Sequence, residues 1–365
     1  MKFKFVKIFT VCMGILVFIV SIYVIIGSDT DIMMQYDSMT GNSKSTVDKK
    51  KEFISGYVAT TGDADLGAKF GLAGDGVSMP GGSYTFDESR LSQDVQEIRN
   101  QYLSIIRSCQ GNKTIVDANG AYTSEQGVRL TYGSSGGKEY QQKMFEWTYG
   151  TNTGYTFKEL YDPYTDSVHD KIEQLNKNSM TSVKIKCWTW ANPSLTSTDL
   201  TVKETTMSFE CSKILAPVYE QIFKDIYEDT SDPTHLSQVI SIVGGYRISG
   251  FDSSSSSSGK KTSSHSWGTT LDINWSVGGK HVDFNWNDDT AENCRAKLSS
   301  WSKEGWYQYY NEKGWTQEAY TCIYPGCLIE QVFRKYGINW GGDWGSANLG
   351  SKPYKDPMHF SLTTT

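Results

Sequence analysis

The chain is poor in histidine and has no basic excess. Only five of its 365 residues are His, and the formal net charge at pH 7 is −6. A nucleic-acid-binding protein gathers Lys and Arg on one face, so that class is disfavoured at the outset. No two of the seven cysteines stand as C-x-x-C, which argues against a cysteine-based zinc site. With 38% hydrophobic and 21% charged residues, the composition is that of a soluble body and not of a multi-span membrane protein. Aromatic side chains are plentiful instead. The 11 Trp and 22 Tyr can build a sizeable core and line a groove, and the length admits two modest domains.

One long apolar run interrupts this soluble character. Lys2, Lys4 and Lys7 precede 20 residues, Ile8 to Gly27, that carry no charge; Asp29 and Asp31 follow. Such a run can cross a hydrocarbon core of ~30 Å, and the lysines place the N-terminus in the cytoplasm. A cleaved signal peptide is the competing reading, but its apolar region is shorter, ~7–15 residues, and ends in an A-x-A-like site. No such site is seen here, which favours a retained anchor over residues 1–27. Either way the body is exported. Losing those residues removes three lysines and no acid, taking the formal charge from −6 to −9. Docking on anionic polymers or lipid by bulk charge is thereby excluded as the main binding mode.

Cys12 sits in the apolar run. Cys109, Cys187, Cys211, Cys294, Cys322 and Cys327 remain for the exported body, enough for three disulfides in any of 15 connectivities. Cys322 and Cys327 bracket a turn-like Ile-Tyr-Pro-Gly and are the easiest local pair; buried free thiols are the alternative.

Residues 28–83 are polar and Gly-rich without apolar period, which reads as a flexible stalk. A helix is expected over 84–108, opened by a Thr85/Glu88 capping box and carrying Leu91, Val95, Ile98, Tyr102 and Ile105 on one face. The remainder of 84–180 shows no motif with a chemical role, and the whole stretch is left as an unassigned accessory segment. From 181 the pattern changes. Residues 183–190 alternate like a strand, residues 209–228 read as the clearest helix, and 239–243 as another strand. The stretch 249–264, with serine at every position from Ser253 to Ser258, is too polar to pack and reads as a mobile loop. Helices and strands mix without a regular βαβ repeat, so the fold class is α+β.

The chemistry concentrates after that loop. Ser263-Ser264-His265-Ser266-Trp267-Gly268-Thr269-Thr270-Leu271-Asp272 holds a histidine with an acid seven positions on. With five His, and acids at 41 of 365 positions, about half such a match is expected by chance. A second cluster makes the pattern informative: Trp340-Gly341-Gly342-Asp343-Trp344, then Asp356-Pro357-Met358-His359-Phe360. His265, Asp272 and His359 together offer two imidazole nitrogens and a carboxylate, a donor set suited to zinc with a fourth position open. Residues 271–274 and 359–362 both alternate like strands, so two neighbouring strands would aim Asp272 and His359 at one point. Asp356, three residues before His359, could move a proton between a metal-activated water and a leaving amine. Arg247 could grip a substrate carboxylate at two points or steady an oxyanion.

These two clusters resemble those of the M15 family of zinc D-alanyl-D-alanine carboxypeptidases and L-alanyl-D-glutamate endopeptidases, in the branch with phage endolysins and VanY-type enzymes. The signature S-x-H-x-x-G-x-A-x-D is met by Ser263, His265, Gly268 and Asp272, with Thr270 in place of the usual Ala. Asp356, His359 and Phe360 meet the second signature. The Trp-Gly-Gly-Asp-Trp run and the Gly-Tyr-Arg carrying Arg247 are also typical. The resemblance covers 181–365. It implies a Hedgehog/D-Ala-D-Ala-peptidase-like zinc domain behind the anchor and stalk. It implies further that His265, Asp272 and His359 bind Zn2+, that Asp356 is the general base, and that Arg247 and Ser263 contact substrate or transition state.

The function this implies is hydrolysis of peptidoglycan stem peptides outside a bacterial membrane, by a single-pass protein whose N-terminus is inside. An endopeptidase is favoured slightly over a D-Ala-D-Ala carboxypeptidase. The alternative class is a non-catalytic cell-wall binding or adhesion module with a structural metal. His169, His235 and His281 carry no partner pattern and read as structural or exposed. Trp267, Trp340 and Trp344 read as core and pocket wall.

Overall fold

The computed structural model describes residues 84–110, 130, 135–252, 259–282, 284, 297–298, 300–344 and 355–363. All of them belong to one unit, Met79–Thr365. The expected anchor (1–27), the stalk (28–83), the serine run 253–258, Cys12 and Cys294 lie outside the described residues. Among the described residues, no helix is long and apolar enough to cross a membrane.

The described residues run through four helices, α1 (Gln93–Cys109), α2 (Gly137–Tyr149), α3 (Phe157–Tyr161) and α4 (Asp166–Asn176), into a long hairpin of β1 (Met180–Trp190) and β2 (Val202–Ser212). Helix α5 (Ala216–Glu228) follows, then β3 (Val243–Gly244), β4 (Gly250–Asp252) and β5 (Lys260–Thr262). A 3-10 turn, Ser264–Trp267, leads into β6 (Thr270–Ile273), β7 (Ser276–Val277) and β8 (Lys280–His281). Helices α6 (Lys303–Lys313), α7 (Gln317–Thr321) and α8 (Leu328–Lys335) precede β9 (Asn339–Trp340), the 3-10 turn Gly341–Asp343 and β10 (His359–Ser361). This mixture is α+β, as expected.

Strand pairing overrides local periodicity in the hairpin. The helix expected over 209–228 begins only at Ala216. Phe209 and Cys211 are buried, Ser208 and Glu210 are exposed, and the period of two pairs Val183 with Phe209 and Thr181 with Cys211. Pro217 suits the first turn of α5, where its missing N–H costs nothing. Val218, Ile222 and Ile226 then face β1 across a solid apolar layer.

The helix expected from residue 84 also starts later. Its N-cap is Ser92, and the Thr85/Glu88 box does not form. Asp87 caps a short 3-10 turn instead, and Glu88 pairs at 2.8 Å with Arg99, which is buried. Val95, Tyr102, Leu103 and Ile106 form the inward face of α1. The entry to this region is tied by Asp225, whose Oδ2 accepts from Tyr84 at 2.6 Å and from Tyr336 at 2.8 Å.

The central sheet has the order β3-β6-β10-β9 and is antiparallel throughout. Its alternation separates two tasks. Leu271 and Phe360 are register partners, both wholly buried, and Phe360 stacks on Phe333 of α8 with centroids 4.2 Å apart. Asp272 and His359 are the next register pair and project to the opposite face. The stretch 239–243 contributes less strand than expected. Only Val243 joins β3; Val239 makes a single parallel bridge with Trp188. Asn274, in a left-handed conformation (φ 62°), holds the intervening backbone by accepting from Ser241 N and donating to Val239 O, each at 2.8 Å.

All five described cysteines are buried free thiols. The Cys322–Cys327 pair is therefore corrected: Cys322 Sγ lies 3.2 Å from the Tyr310 hydroxyl, while Cys327 is the N-cap of α8.

Candidate metal centre

The first histidine is set by a single tight turn. Ser263 caps the 3-10 turn, its hydroxyl accepting from His265 N at 3.4 Å. Gly268 closes the turn with φ +66° and donates to His265 O at 3.1 Å. A Cβ at position 268 would fall 2.6 Å from Ser212 N and 2.5 Å from Met180 Sδ. Glycine is thus required twice over, by backbone conformation and by space.

The helices before residue 180 form the bed of this turn. Phe145, Phe157, Leu160, Tyr161, Val168 and Ile172 make one cluster with Trp267. Asn176 Nδ2 donates to Ser266 O at 2.8 Å, and Tyr149 OH donates to Trp267 O at 3.2 Å. Two carbonyls that the short turn cannot satisfy internally are thereby paired. The segment without a chemical motif thus packs directly beneath the motif that has one.

The second histidine comes from β10. Gly341 O accepts from Asp356 N at 3.1 Å, and Asp356 O accepts from His359 N at 3.1 Å. A Cβ at Gly341 would strike Asp356 O at 2.2 Å, so only glycine permits this close passage. The 3-10 turn Gly341–Asp343 is itself fastened to α8: Asp343 pairs with Arg334 at 2.6 Å, and Arg334 also pairs with Glu330. Burial pushes the Asp343 carboxyl up to about 8 in spite of the facing Arg334.

His265, Asp272 and His359 converge, with one ligating atom from each lying within 4.8 Å of the others. All three are buried. His265 Nε2 is 3.0 Å from Asp272 Oδ2, and His359 Nδ1 is 3.2 Å from Asp272 Oδ1. Burial alone would raise the Asp272 carboxyl, but the two imidazoles outweigh it and hold the carboxyl well below the usual range.

The donor set fits a metal ion on the structure's own terms. His265 Nδ1–H donates to Gly245 O at 2.8 Å. Its Nε2 is buried and finds no hydrogen-bond partner among the described residues. That nitrogen and the Asp272 oxygen 3.0 Å from it thus converge without hydrogen-bond geometry between them, as two ligand atoms of one cation do. Ligand atoms ~2.0–2.1 Å from a tetrahedral zinc are roughly 3.3 Å from one another, close to the two separations observed.

A cleft of ≈ 450 Å³ opens over the cluster. Arg247, Ser263, Asp356, Trp344, Trp275 and Phe251 stand around it. Asp356 Oδ2 is 4.0 Å from His359 Nδ1, beside the cluster and not within it. Arg247 Nη2 reaches Asp272 Oδ2 at 2.9 Å, yet its side chain is 53% exposed, so one guanidinium edge is available to the cleft. All six residues singled out by sequence are therefore brought to one place. Trp267 and Trp340 are buried, and Trp344 packs edge-on against His359 at 4.9 Å. His169 bonds Tyr164, His235 stacks on Trp188, and His281 is exposed on β8.

One residue and one pairing escaped sequence reading. Ser264, one residue from the histidine, places its Oγ 3.3 Å from His359 Nε2. Thr270, which stands where the resembled signature has Ala, is the register partner of Ser361 and shares a 2.7 Å hydroxyl bond with it. The added hydroxyl is thus paired in the sheet.

A His₂Asp cluster at the floor of a cleft, with a separate carboxylate beside it, is an arrangement that could hold a metal ion. Residues 256–362 match the family profile described as D-alanyl-D-alanine carboxypeptidase, and this supports an M15-family peptidase. No curated protein and no solved structure matches the chain. The helical bed before residue 180 lies outside the matched segment.

Proposed function

We propose that the protein is a zinc-dependent hydrolase of peptidoglycan stem peptides, working outside a bacterial membrane to which an N-terminal single-pass helix (1–27) tethers it with its N-terminus inside. The observation that carries the reading is the convergence of His265, Asp272 and His359 under a cleft that also holds Asp356.

In this reading His265, through Nε2, His359, through Nδ1, and Asp272 hold the zinc. Bound there, zinc supplies Lewis acidity and lowers the pKa of a water towards ~7. Asp356 takes a proton from the attacking water and returns it to the leaving amine. Its short tether to His359 keeps it at the edge of the cluster, 4.0 Å from His359 Nδ1. Arg247 turns its exposed guanidinium edge to the substrate, gripping a carboxylate or the oxygen on which charge develops. Ser263, half-buried at the rim of the same turn, lines the cleft and contacts substrate or transition state. The apolar walls from Phe251, Trp275 and Trp344 thin the water around these groups and strengthen each charged contact.

The acidic body leaves substrate recognition to contacts inside the cleft. Endopeptidase cleavage is the preferred reaction, because among the described residues the Arg247 side chain is 53% exposed rather than enclosed around a terminal carboxylate. Incubating the full-length chain with defined muropeptides and weighing the fragments tests this. Cuts within the stem are expected; release of D-Ala alone would replace the endopeptidase with a carboxypeptidase.

A further inference from the structure

Both histidines of the cluster present a nitrogen to Asp272, but they present opposite ones. His265 faces it with Nε2 and His359 with Nδ1. A neutral imidazole binds a metal only through the nitrogen that lacks the proton, so each ring needs something that holds its proton on the far side. For His265 that partner is a backbone carbonyl, Gly245 O, 2.8 Å from Nδ1. A carbonyl only accepts, so this tautomer follows from the main chain.

For His359 the far nitrogen is Nε2, and the group beside it is Ser264 Oγ at 3.3 Å. Ser264 is 1% exposed, so bulk water is not at hand to replace it. It sits in the same 3-10 turn as His265. That turn therefore delivers one ligand and touches the back of the other, across 95 positions of sequence. The two imidazole planes stand at 83° with centroids 5.2 Å apart, and Ser264 meets the outer edge of the His359 ring.

We infer that Ser264 is a positioning residue for the metal centre: its hydroxyl accepts the Nε2 proton of His359, fixes that ring in the Nε2–H tautomer and so frees Nδ1 for the metal. Ser263, its half-exposed neighbour, caps the turn and has no such role. This inference rests on the zinc reading of the site and adds a residue to it.

The test uses the full-length chain, with zinc itself as the probe. Zinc affinity is measured by competition with a chromophoric chelator for wild type, Ser264→Ala and Ser264→Thr. Histidine-selective ¹⁵N NMR reads the tautomers, and five histidines are few enough to assign. With zinc bound, the expected result in wild type is one ring in the Nδ1–H form and one in the Nε2–H form. Ser264→Ala should weaken zinc binding by about 10–100-fold and mix the His359 tautomers, at unchanged circular dichroism. Ser264→Thr, which keeps the hydroxyl, should recover most of the affinity. Unchanged affinity and an unchanged His359 tautomer in Ser264→Ala would overturn the inference while leaving zinc binding intact. A wild type that takes up no zinc would overturn the metal reading itself. An Ala variant that loses affinity by unfolding is distinguished by its dichroism, and failure of the Thr variant to recover would then also count against the inference.

Discussion

Replacing Gly268 by alanine tests how the turn carrying His265 is built. Two costs are separable there. A residue with a Cβ in the left-handed region loses roughly 1–2 kcal/mol. The new methyl also meets the backbone nitrogen of Ser212 at 2.6 Å and Met180 Sδ at 2.5 Å. Met180 can swing away, but Ser212 N is fixed, because it donates to Gly268 O at 2.8 Å and belongs to the end of β2. Forced repacking of this kind costs ~1–3 kcal/mol. The stiffer unfolded chain of the alanine variant offsets ~0.4–1 kcal/mol. The net loss comes to about 3 kcal/mol. Gly279 supplies the control. It also has a positive φ, +77°, in the two-residue turn between β7 and β8, but nothing lies within 4 Å of its Cβ position. Gly279→Ala should therefore cost only about 1 kcal/mol. Urea unfolding of both variants, with zinc affinity measured alongside, makes the comparison. Gly268→Ala should also lose at least about tenfold in zinc affinity, because the clash displaces the N–H that holds His265 O; Gly279→Ala should not. Equal destabilisation in the two variants, or intact zinc affinity in Gly268→Ala, would refute the close-packing argument.

Further outcomes follow from the buried polar groups and thiols. Asp343, beside Arg334, Glu330 and Lys355, has its carboxyl raised to about 8, above an unfolded value of ~3.9. The folded state then holds the proton more tightly, so this contribution to stability is full below ~4 and is lost as pH rises through the folded value. Wild type should lose stability relative to Asp343→Asn between pH 5 and 8.5 in urea titrations; a relative gain would show that the Arg334 pairing outweighs burial. Peptide-mapped alkylation without reductant should leave Cys322 and Cys327 unmodified in the native protein and modify both after denaturation. A linked 322–327 peptide would contradict their free state.

The site was more legible in the sequence than the fold around it. The His265–Asp272–His359 cluster could be read because short motifs fix local geometry: a strand period of two puts Asp272 and His359 on one face whatever surrounds them. Register is a different matter. Nothing local reveals that Asp272 and His359 are direct partners, though two alternating strands made the meeting plausible. Phe209 and Cys211 were absorbed into a helix because the apolar pattern of 214–226 continues backwards into them. Pairing with Val183 and Thr181 decides otherwise, and that contact is invisible to a window. The Thr85/Glu88 box failed because Arg99, a full turn and more into α1, captures Glu88. The true capping box, Thr156 with Glu159, was equally readable and lay in the segment given no role. Ser264 was passed over for Ser263 because both precede His265, and only the packing shows which one is turned inward.

The central claim is that the cluster binds zinc and that Asp356, not a fourth ligand, performs the proton transfer. Zinc content and the masses of fragments released from purified peptidoglycan, measured together for wild type and Asp356→Ala, test it most directly. The account predicts about one zinc per chain and the same fold in both proteins, with stem-peptide fragments from wild type alone. A wild type that binds wall material without cutting it, or an Asp356→Ala variant that cuts as fast as wild type, would contradict it.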